Sequence, residues 1–390
     1  MRILISSSRM PFALDEIRKL GKEGHFVVAT DTFRNAPGSH SKFAASWATT
    51  ASPRYDTRKF IADIAQIVQD NAIELILPAF EEVFYLAKHA GELGPAVRLF
   101  ASSFETAARL HDKVATRALA AELHIPVPRT TVVKSRAEMR EAIRHEPSYF
   151  ARPSFSRGGV QLLTNTGPLA GSVEIEACEP TPENPWLVQE FVDGVDVCTF
   201  SIAQHGKLAA HATYIHPREI EHAGGIVFES IRDLDGLEYI RRIVEATGYH
   251  GQISFDFRRT PSGLVLLECN PRPTAGVMML SPAQFSAALF DEQARTLRIA
   301  EPGVRKKYSV ALVRDMVLHW KEIPQDLKHL LSGAKEFYAE PGDVLPALYQ
   351  FLSYTHVLNY RKDQRPEDRK GPDLMAAYFY DILWDGEQID

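Results

Sequence analysis

The sequence predicts an α/β unit, then an α+β unit, then a mostly helical C-terminal part. Three observations predict it. Apolar strands alternate with helix-spaced segments over the first hundred residues, the pattern of a parallel sheet covered on both faces. Further on, strand pairs joined by turn residues take over, as expected of antiparallel hairpins. From about residue 304 the chain is rich in aromatic and basic residues, Trp320, Tyr338, Tyr354, Tyr378 and Trp384 among them.

Composition bounds the class. The chain has 390 residues, 45% hydrophobic and 24% charged, which is ordinary for a globular protein of two or three domains. No run of about 18 apolar residues occurs and Met1 leads straight into a strand, so neither a membrane span nor a signal peptide is expected, and the expected location is cytoplasmic. Cys178, Cys198 and Cys269 are widely spaced with no CxxC, which predicts buried free thiols in place of a disulfide framework or zinc site. A net charge of −6 argues against a nucleic-acid partner.

In chain order, RILISSS at 2–8, HFVVATD at 25–31, IELILP at 73–78 and VRLFAS at 97–102 read as strands. Helical spacing fills 11–24, 60–70 and 82–90. This resembles a Rossmann-type unit, but the first strand ends in SSSRMP, where a dinucleotide site needs GxGxxG, so a dehydrogenase is excluded. Ligands of such sheets sit at the carboxyl ends of the strands, which nominates Ser6 to Arg9, Asp31 and Glu81–Glu82 as a pocket edge; capping and solvated loop residues are the plainer reading.

His111-Asp112-Lys113 opens a helix running to Leu123. A lysine near the positive end of a helix is out of place unless it meets an anion such as phosphate, a solvated lysine being the plainer reading. The segment YFARPSFSRGGVQLL, 149–163, reads as strand, loop, strand, with Arg152 ending the first strand and Ser154, Ser156, Gly158 and Gly159 in the loop. Small residues let backbone N–H groups approach phosphate, and Arg152 can clamp it; a pair of glycines is also ordinary turn grammar. A Pro-rich break at 177–185 precedes WLVQEFVDGVDVCTFSI, with a bend at Asp193-Gly194. Such a bend between lobes suits a purine read by Glu190, Phe191 and Val192, with Asp196 on the ribose, or it is a plain hairpin. Polar groups thicken at His211, His216, Arg218, Glu219 and His222 without metal-ligand spacing, so they read as substrate contacts or surface. A helix is expected over 236–248 and another from Pro282 to Leu297.

GQISFDFRRTPSGLVLLECNPR, 251–272, carries the sharpest signal. Ile253, Phe255 and Phe257 alternate with Ser254, Asp256 and Arg258, and Pro-Ser-Gly supplies the turn. Pairing across that turn brings Asp256 and Glu268 together, where their repulsion calls for a cation or a raised pKa. Mg²⁺ prefers a few carboxylates plus phosphates; Asn270 can add an oxygen and Arg272 can fork onto phosphate. An edge hairpin with solvated acids is the alternative.

Taken together, Lys113, ARPSFSRGG, LVQEFVDGVD and the ECNPR strand pair resemble the ATP-grasp superfamily over roughly residues 1–290, the loop being closest to its carbamoyl-phosphate synthetase version. The resemblance implies a Rossmann-like pre-ATP-grasp domain at 1–108, a two-lobed ATP-grasp domain at 109–300 hinged near 186–196, and a helical extension at 301–390. It implies ATP with Mg²⁺, Mn²⁺ being an alternative. Lys113, Arg152, Ser154, Ser156, Gly158 and Gly159 would lie on the phosphates, Glu190, Phe191, Val192 and Asp196 at the nucleoside, and Asp256, Glu268 and Asn270 on the metal. Arg272 and Arg152 would be the catalytic cations. Glu81, Glu82, His216, Arg218, Thr274 and Gly276 are nominated for substrate.

The implied reaction is that of a carbon–nitrogen ligase, in which a small carboxylate such as an amino acid becomes an acyl phosphate and is joined to an amine. Carboxylation, carbamoyl-phosphate chemistry or a non-catalytic ATP-binding module are the alternatives. Many members carry lysine where Arg152 stands, a further glycine follows GG where this chain has GGVQ, and Asp196 replaces the usual glutamate. The C-terminal part reads as a cap on the second unit or a homodimer surface. No membrane contact is expected, since that would need a clearer apolar face with basic flanks.

Overall fold

The computed structural model describes residues 1–156, 161–220, 224–363 and 378–390. Its first part is a parallel sheet whose strand order is Ser46–Thr49, Phe26–Asp31, Arg2–Ile5, Leu75–Leu77, Arg98–Leu99. The sheet is fully apolar at its centre, with Ile3, Leu4, Ile5, Val27, Val28, Ile76 and Leu77 buried, because helices cover both faces. Helix Pro11–Lys22 buries Phe12, Leu14, Ile17 and Leu20 along one face, and helix Thr57–Asp70, capped by Asp56, covers the other. Strand Ser46–Thr49 was not expected; its half-exposed edge alternates only weakly.

The next sheet is antiparallel and ordered Thr130–Val133, Trp186–Glu190, Tyr149–Pro153, Leu163–Thr164. A third, eight-stranded sheet runs from Gly263–Asn270 through Gly251–Thr260, Val195–Gln204, Lys207–Ile220, Gly224–Ile231 and Arg305–Lys307 to Lys335–Glu336, with Arg298–Ile299 beside Lys207–Ile220. Strand Trp186–Glu190 belongs to the smaller sheet and Val195–Gln204 to the larger, so the bend 191–194 is the crossing between two lobes. Gly194 sits at φ +156°, and a Cβ there would meet the Arg259 carbonyl oxygen at 2.3 Å; only glycine passes so close to a neighbouring strand. Phe255 and Phe257 are wholly buried on one face of the large sheet and Phe200 on the other, each contributing roughly 1.5–3 kcal/mol of burial.

Two expectations change. The helix expected to reach Leu297 is Pro282–Phe290. A capping box of Ser281 and Gln284 starts it, and the Asp291 carboxylate ends it by accepting from the Arg295 N–H (3.1 Å) and Arg298 Nη1 (3.3 Å), local bonds that compete with the helix. The segment after 300 is mostly helical, yet it does more than cap the second unit. It adds two strands to the large sheet, and its last residues return to the first: Arg9 donates to Asp381 (2.7 Å) and to the Tyr378 carbonyl (2.7 Å), while Arg18 donates to Asp343 (2.7 Å).

Candidate active site

Strands Gly251–Thr260 and Gly263–Asn270 pair antiparallel with Asp256 directly opposite Glu268 and an irregularity just beyond, between Asp256 and Phe257. The alternation predicted from sequence holds: Phe255 and Phe257 enter the core while Ser254 and Asp256 face the other way. Asn270 Nδ2 donates to Asp256 (3.2 Å) and lies 3.4 Å from Glu268, and its Oδ1 accepts from Arg272 (3.2 Å). For that amide oxygen to join a cation between the acids, the amide must rotate.

The acids titrate apart. Burial and the neighbouring Glu268 push Asp256 well up. Burial also acts to raise Glu268, but the Arg152 and Lys113 cations outweigh it and hold this carboxyl below the usual range. Arg152 donates from Nη1 to Glu268 (2.6 Å) and from Nη2 to the Leu267 carbonyl (2.8 Å), leaving its buried Nε with no hydrogen-bond partner among the described residues. Lys113 Nζ donates to the Ser156 carbonyl (2.7 Å) and lies 3.8 Å from Glu268.

Lys113 is positioned by its helix. Asp112 caps helix Lys113–Glu122 by accepting from the Val114 (2.8 Å) and Ala115 (3.2 Å) N–H groups, and Ser154 Oγ donates to the same carboxylate. The cap therefore fastens the start of the phosphate-type loop to the lysine helix. Gly158 and Gly159 lie outside the described residues, as does His222.

The residues nominated for the nucleoside line the crossing between lobes. Glu190 accepts from the Arg129 backbone N–H (2.9 Å) and Nε (2.8 Å), and the Phe191 N–H donates to the Ser148 carbonyl (2.8 Å). Val192 is half-buried in the same bend. Asp196 pairs with Arg258 (3.0 Å), and burial raises its pKa against that cation's pull.

The substrate nominees divide. Glu81 is wholly buried, lies 3.7 Å from Arg272 and accepts from the Trp384 N–H (3.0 Å); Arg272 also rests over the Phe80 ring at 4.4 Å. Thr274 donates to Ser254 Oγ (3.0 Å) and meets Tyr214 Oη (3.1 Å). At Gly276 a Cβ would strike the Phe200 Cβ at 2.5 Å and the Tyr214 ring at 2.7 Å, so this glycine permits a close approach behind the site. His216 pairs with Glu219 (3.1 Å).

Glu82 and Arg218 are each held by several partners within the protein. Glu82 accepts from Ser6 Oγ (2.6 Å), Ser7 Oγ (2.5 Å) and the Ala79 (2.9 Å) and Phe80 (3.1 Å) N–H groups, which occupies its carboxylate. Arg218 is held by Asp315, Asp326 (2.6 Å) and Glu322 (3.4 Å). The nominated edge at Ser6 to Arg9 and Asp31 is closed as well: Ile382 enters that crevice and leaves a cavity of about 10 Å³, the bare minimum for one water.

Sequence reasoning missed Cys198, Tyr214 and Ser254. Cys198 stands opposite Asp256 on one neighbour and Tyr214 on the other. Its spacing two residues after Asp196 puts it on the same strand face, a signal present in the sequence.

His211, nominated as a polar contact, is a core residue. It is 0% exposed, with Ser201 Oγ 2.9 Å from Nδ1 and Thr213 Oγ1 3.0 Å from Nε2. Burial pushes its pKa down to about 4 from an ordinary 6.5. The unfolded chain therefore takes up the proton first as pH falls, so this contribution to stability is complete above about 6.5 and is lost as pH falls through about 4. The urea midpoint is expected to drop across that window, and to drop less in His211→Gln. An identical pH profile in the variant would assign the acid sensitivity elsewhere.

Among the described residues no three or more His, Cys, Asp and Glu side chains are grouped to hold a metal by themselves. Two carboxylates beside an amide suit a hard cation whose remaining ligands are phosphate oxygens and water.

Two lobes of antiparallel sheet behind a parallel-sheet domain, with acids opposed on one hairpin and cations facing them, give this chain the ATP-grasp fold. It resembles the N5-carboxyaminoimidazole synthetase of Staphylococcus aureus complexed with ADP, with a TM-score of 0.61 at 14% identity, covering 84% of this chain and 86% of that one. It also resembles the phosphoribosylamine–glycine ligase of Thermotoga maritima, with a TM-score of 0.59 at 16% identity and 78% of each chain covered. By sequence it is 28% identical over 271 residues to the carbamoyl phosphate synthase large chain of Thermus thermophilus, covering 61% of this chain and 25% of that relative. The chain thus spans about a quarter of that relative's length. No protein-family model matches it.

Proposed function

We propose that the protein is an ATP-dependent ligase that activates a small carboxylate as an acyl phosphate and joins it to an amine, with release of ADP and phosphate. The observation that carries this reading is the Asp256–Glu268 pair, with Arg152 and Lys113 on Glu268 and Arg272 on the adjoining Asn270. Phosphoryl transfer asks a protein chiefly to position and to neutralise, and these side chains supply both. Mg²⁺, when bound, neutralises phosphate charge; Asp256, Glu268 and Asn270 would hold it. Lys113 and Arg152 would turn from Glu268 to the phosphates, and Arg272, beside Glu81, would orient the carboxylate. The bend at Glu190–Val192 would receive the purine, Asp196 the ribose, and Ser154, Ser156, Gly158 and Gly159 would shelter the anhydride from water.

The test follows ADP and phosphate release from Mg-ATP with pools of carboxylates and amines. Release that depends on an acid and an amine is expected. ATP binding without release in any pool would make the chain a binding module. Bicarbonate, present in the complex of the Hydrogenobacter thermophilus 2-oxoglutarate carboxylase domain that shares this fold, is a second acid to include. Arg152→Lys is expected to leave a partial enzyme, with kcat/KM for ATP lower by about tenfold, as a point charge replaces a fork. Wild-type values would remove Arg152 from the phosphates.

A further inference from the structure

We infer that the helical hairpin 309–331 is a docking surface for an anionic phospholipid bilayer. Helix Ser309–Leu318, the short turn Trp320–Glu322 and helix Ile323–Leu330 form a compact pair that packs Leu312 against Ile226 and Val227 and yet leaves much apolar surface on its outer side. Asp315 and Asp326, 3% and 0% exposed, point inward onto Arg218. The outer side carries Val317 (78% exposed), Trp320 (73%) and Leu331 (77%), with Leu318, Ile323 and Leu327 between 40% and 54%. Ile323, Leu327 and Leu331 recur every four residues, so they line one stripe of their helix. A helix at home in water places such a stripe against the core and its acids outside.

Charge selects the occupant. Between 309 and 335 the exposed Lys, Arg, Asp and Glu residues are Arg314, Lys321, Lys328 and Lys335, all cationic, while Glu322, its side chain 41% exposed, pairs with Arg218 at 3.4 Å. This local excess stands on a chain whose net charge is −6. A twofold pairing with a second copy would bring the same four cations face to face. A bilayer with anionic headgroups meets both features at once: it takes Trp and Leu side chains into the boundary region and attracts the flanking lysines. Among the described residues no helix is long and apolar enough to cross a membrane, and contact of this kind lies in the interface plane. The inference does not rest on the ligase reading, and it departs from the expectation of no membrane contact because the apolar face and its basic flanks come together only when the two helices pack.

The test is co-sedimentation of the full chain with vesicles of phosphatidylglycerol and phosphatidylcholine, against phosphatidylcholine alone, at low and high salt. Binding to the anionic vesicles is expected to exceed binding to the neutral ones by about tenfold at low salt and to fall with added salt. Trp320→Ser with Leu331→Ser, and separately Lys321→Glu with Lys328→Glu, should each abolish it while the melting temperature holds; Val317→Ser is the substitute if the first pair unfolds. Sedimentation equal on both vesicle types, or unchanged in the variants, overturns the proposal. So does a dimer in light scattering that Trp320→Ser and Leu331→Ser dissociate when no vesicle binding is found, which would assign the face to a second copy.

Discussion

Glu268→Gln is expected to lower acid-dependent ATP turnover by about two to three orders of magnitude, roughly 3–4 kcal/mol of transition-state stabilisation. The substitution keeps shape and removes charge. Glu268 stands opposite Asp256 and receives Arg152 and Lys113, so a neutral amide would leave two cations facing one acid and weaken any hold on a divalent ion. Folding should change little, since the side chain is 20% exposed at the rim of a cleft. The check is initial-rate kinetics over a Mg²⁺ titration with a melting curve alongside. Turnover at the wild-type rate would end the claim that this hairpin is the floor of the site. A large loss of fold with proportionate loss of rate would make Glu268 a structural acid.

The largest stability effect is expected at Arg9. Its side chain is 0% exposed and its guanidinium donates to Asp31 at 2.6 and 2.9 Å, to Asp381 at 2.7 and 3.0 Å and to Thr32 at 2.6 Å. Arg9 and the His356 imidazole in turn hold the Asp381 carboxyl far below the usual range, against the upward pull of burial. Arg9→Met leaves two buried carboxylates without their cation, a loss of about 3–5 kcal/mol. Urea unfolding of the variant measures it. A midpoint unmoved from wild type would show that water reaches these acids, and adding Asp381→Asn to Arg9→Met should recover part of the loss if burial of unpaired charge is the cause.

Local signals made much of the site readable. The hairpin 251–272 announces itself by alternation and a turn, and Asp256 meets Glu268 because strand pairing across a short turn allows little else. Asp112 and Lys113 were readable as a helix start because caps are local chemistry. What escaped depends on partners far away in sequence. Glu82 looks like a pocket acid until Ser6 and Ser7 are seen donating to it, and Arg218 looks like a substrate contact until Asp315 and Asp326 close on it. Cys198 reaches Asp256 through the register of a strand pair with no short turn to fix it. The carboxyl ends of the first sheet were a sound place to look for a ligand; residues 378–384 fill them instead, and no pattern within the first hundred residues could disclose that.

That return of the C-terminal segment sets an order of events during synthesis. Arg9 and Asp381 are 372 residues apart, so the cation buried at the head of the first sheet gains its second acid only after that whole intervening stretch has been made. Contacts of such separation pay their loop-closure entropy late and form slowly. Sealing of the crevice at the carboxyl ends of the first sheet is therefore a late step: Ile382 lines that crevice and Trp384 packs on Phe84 of helix Glu82–Lys88.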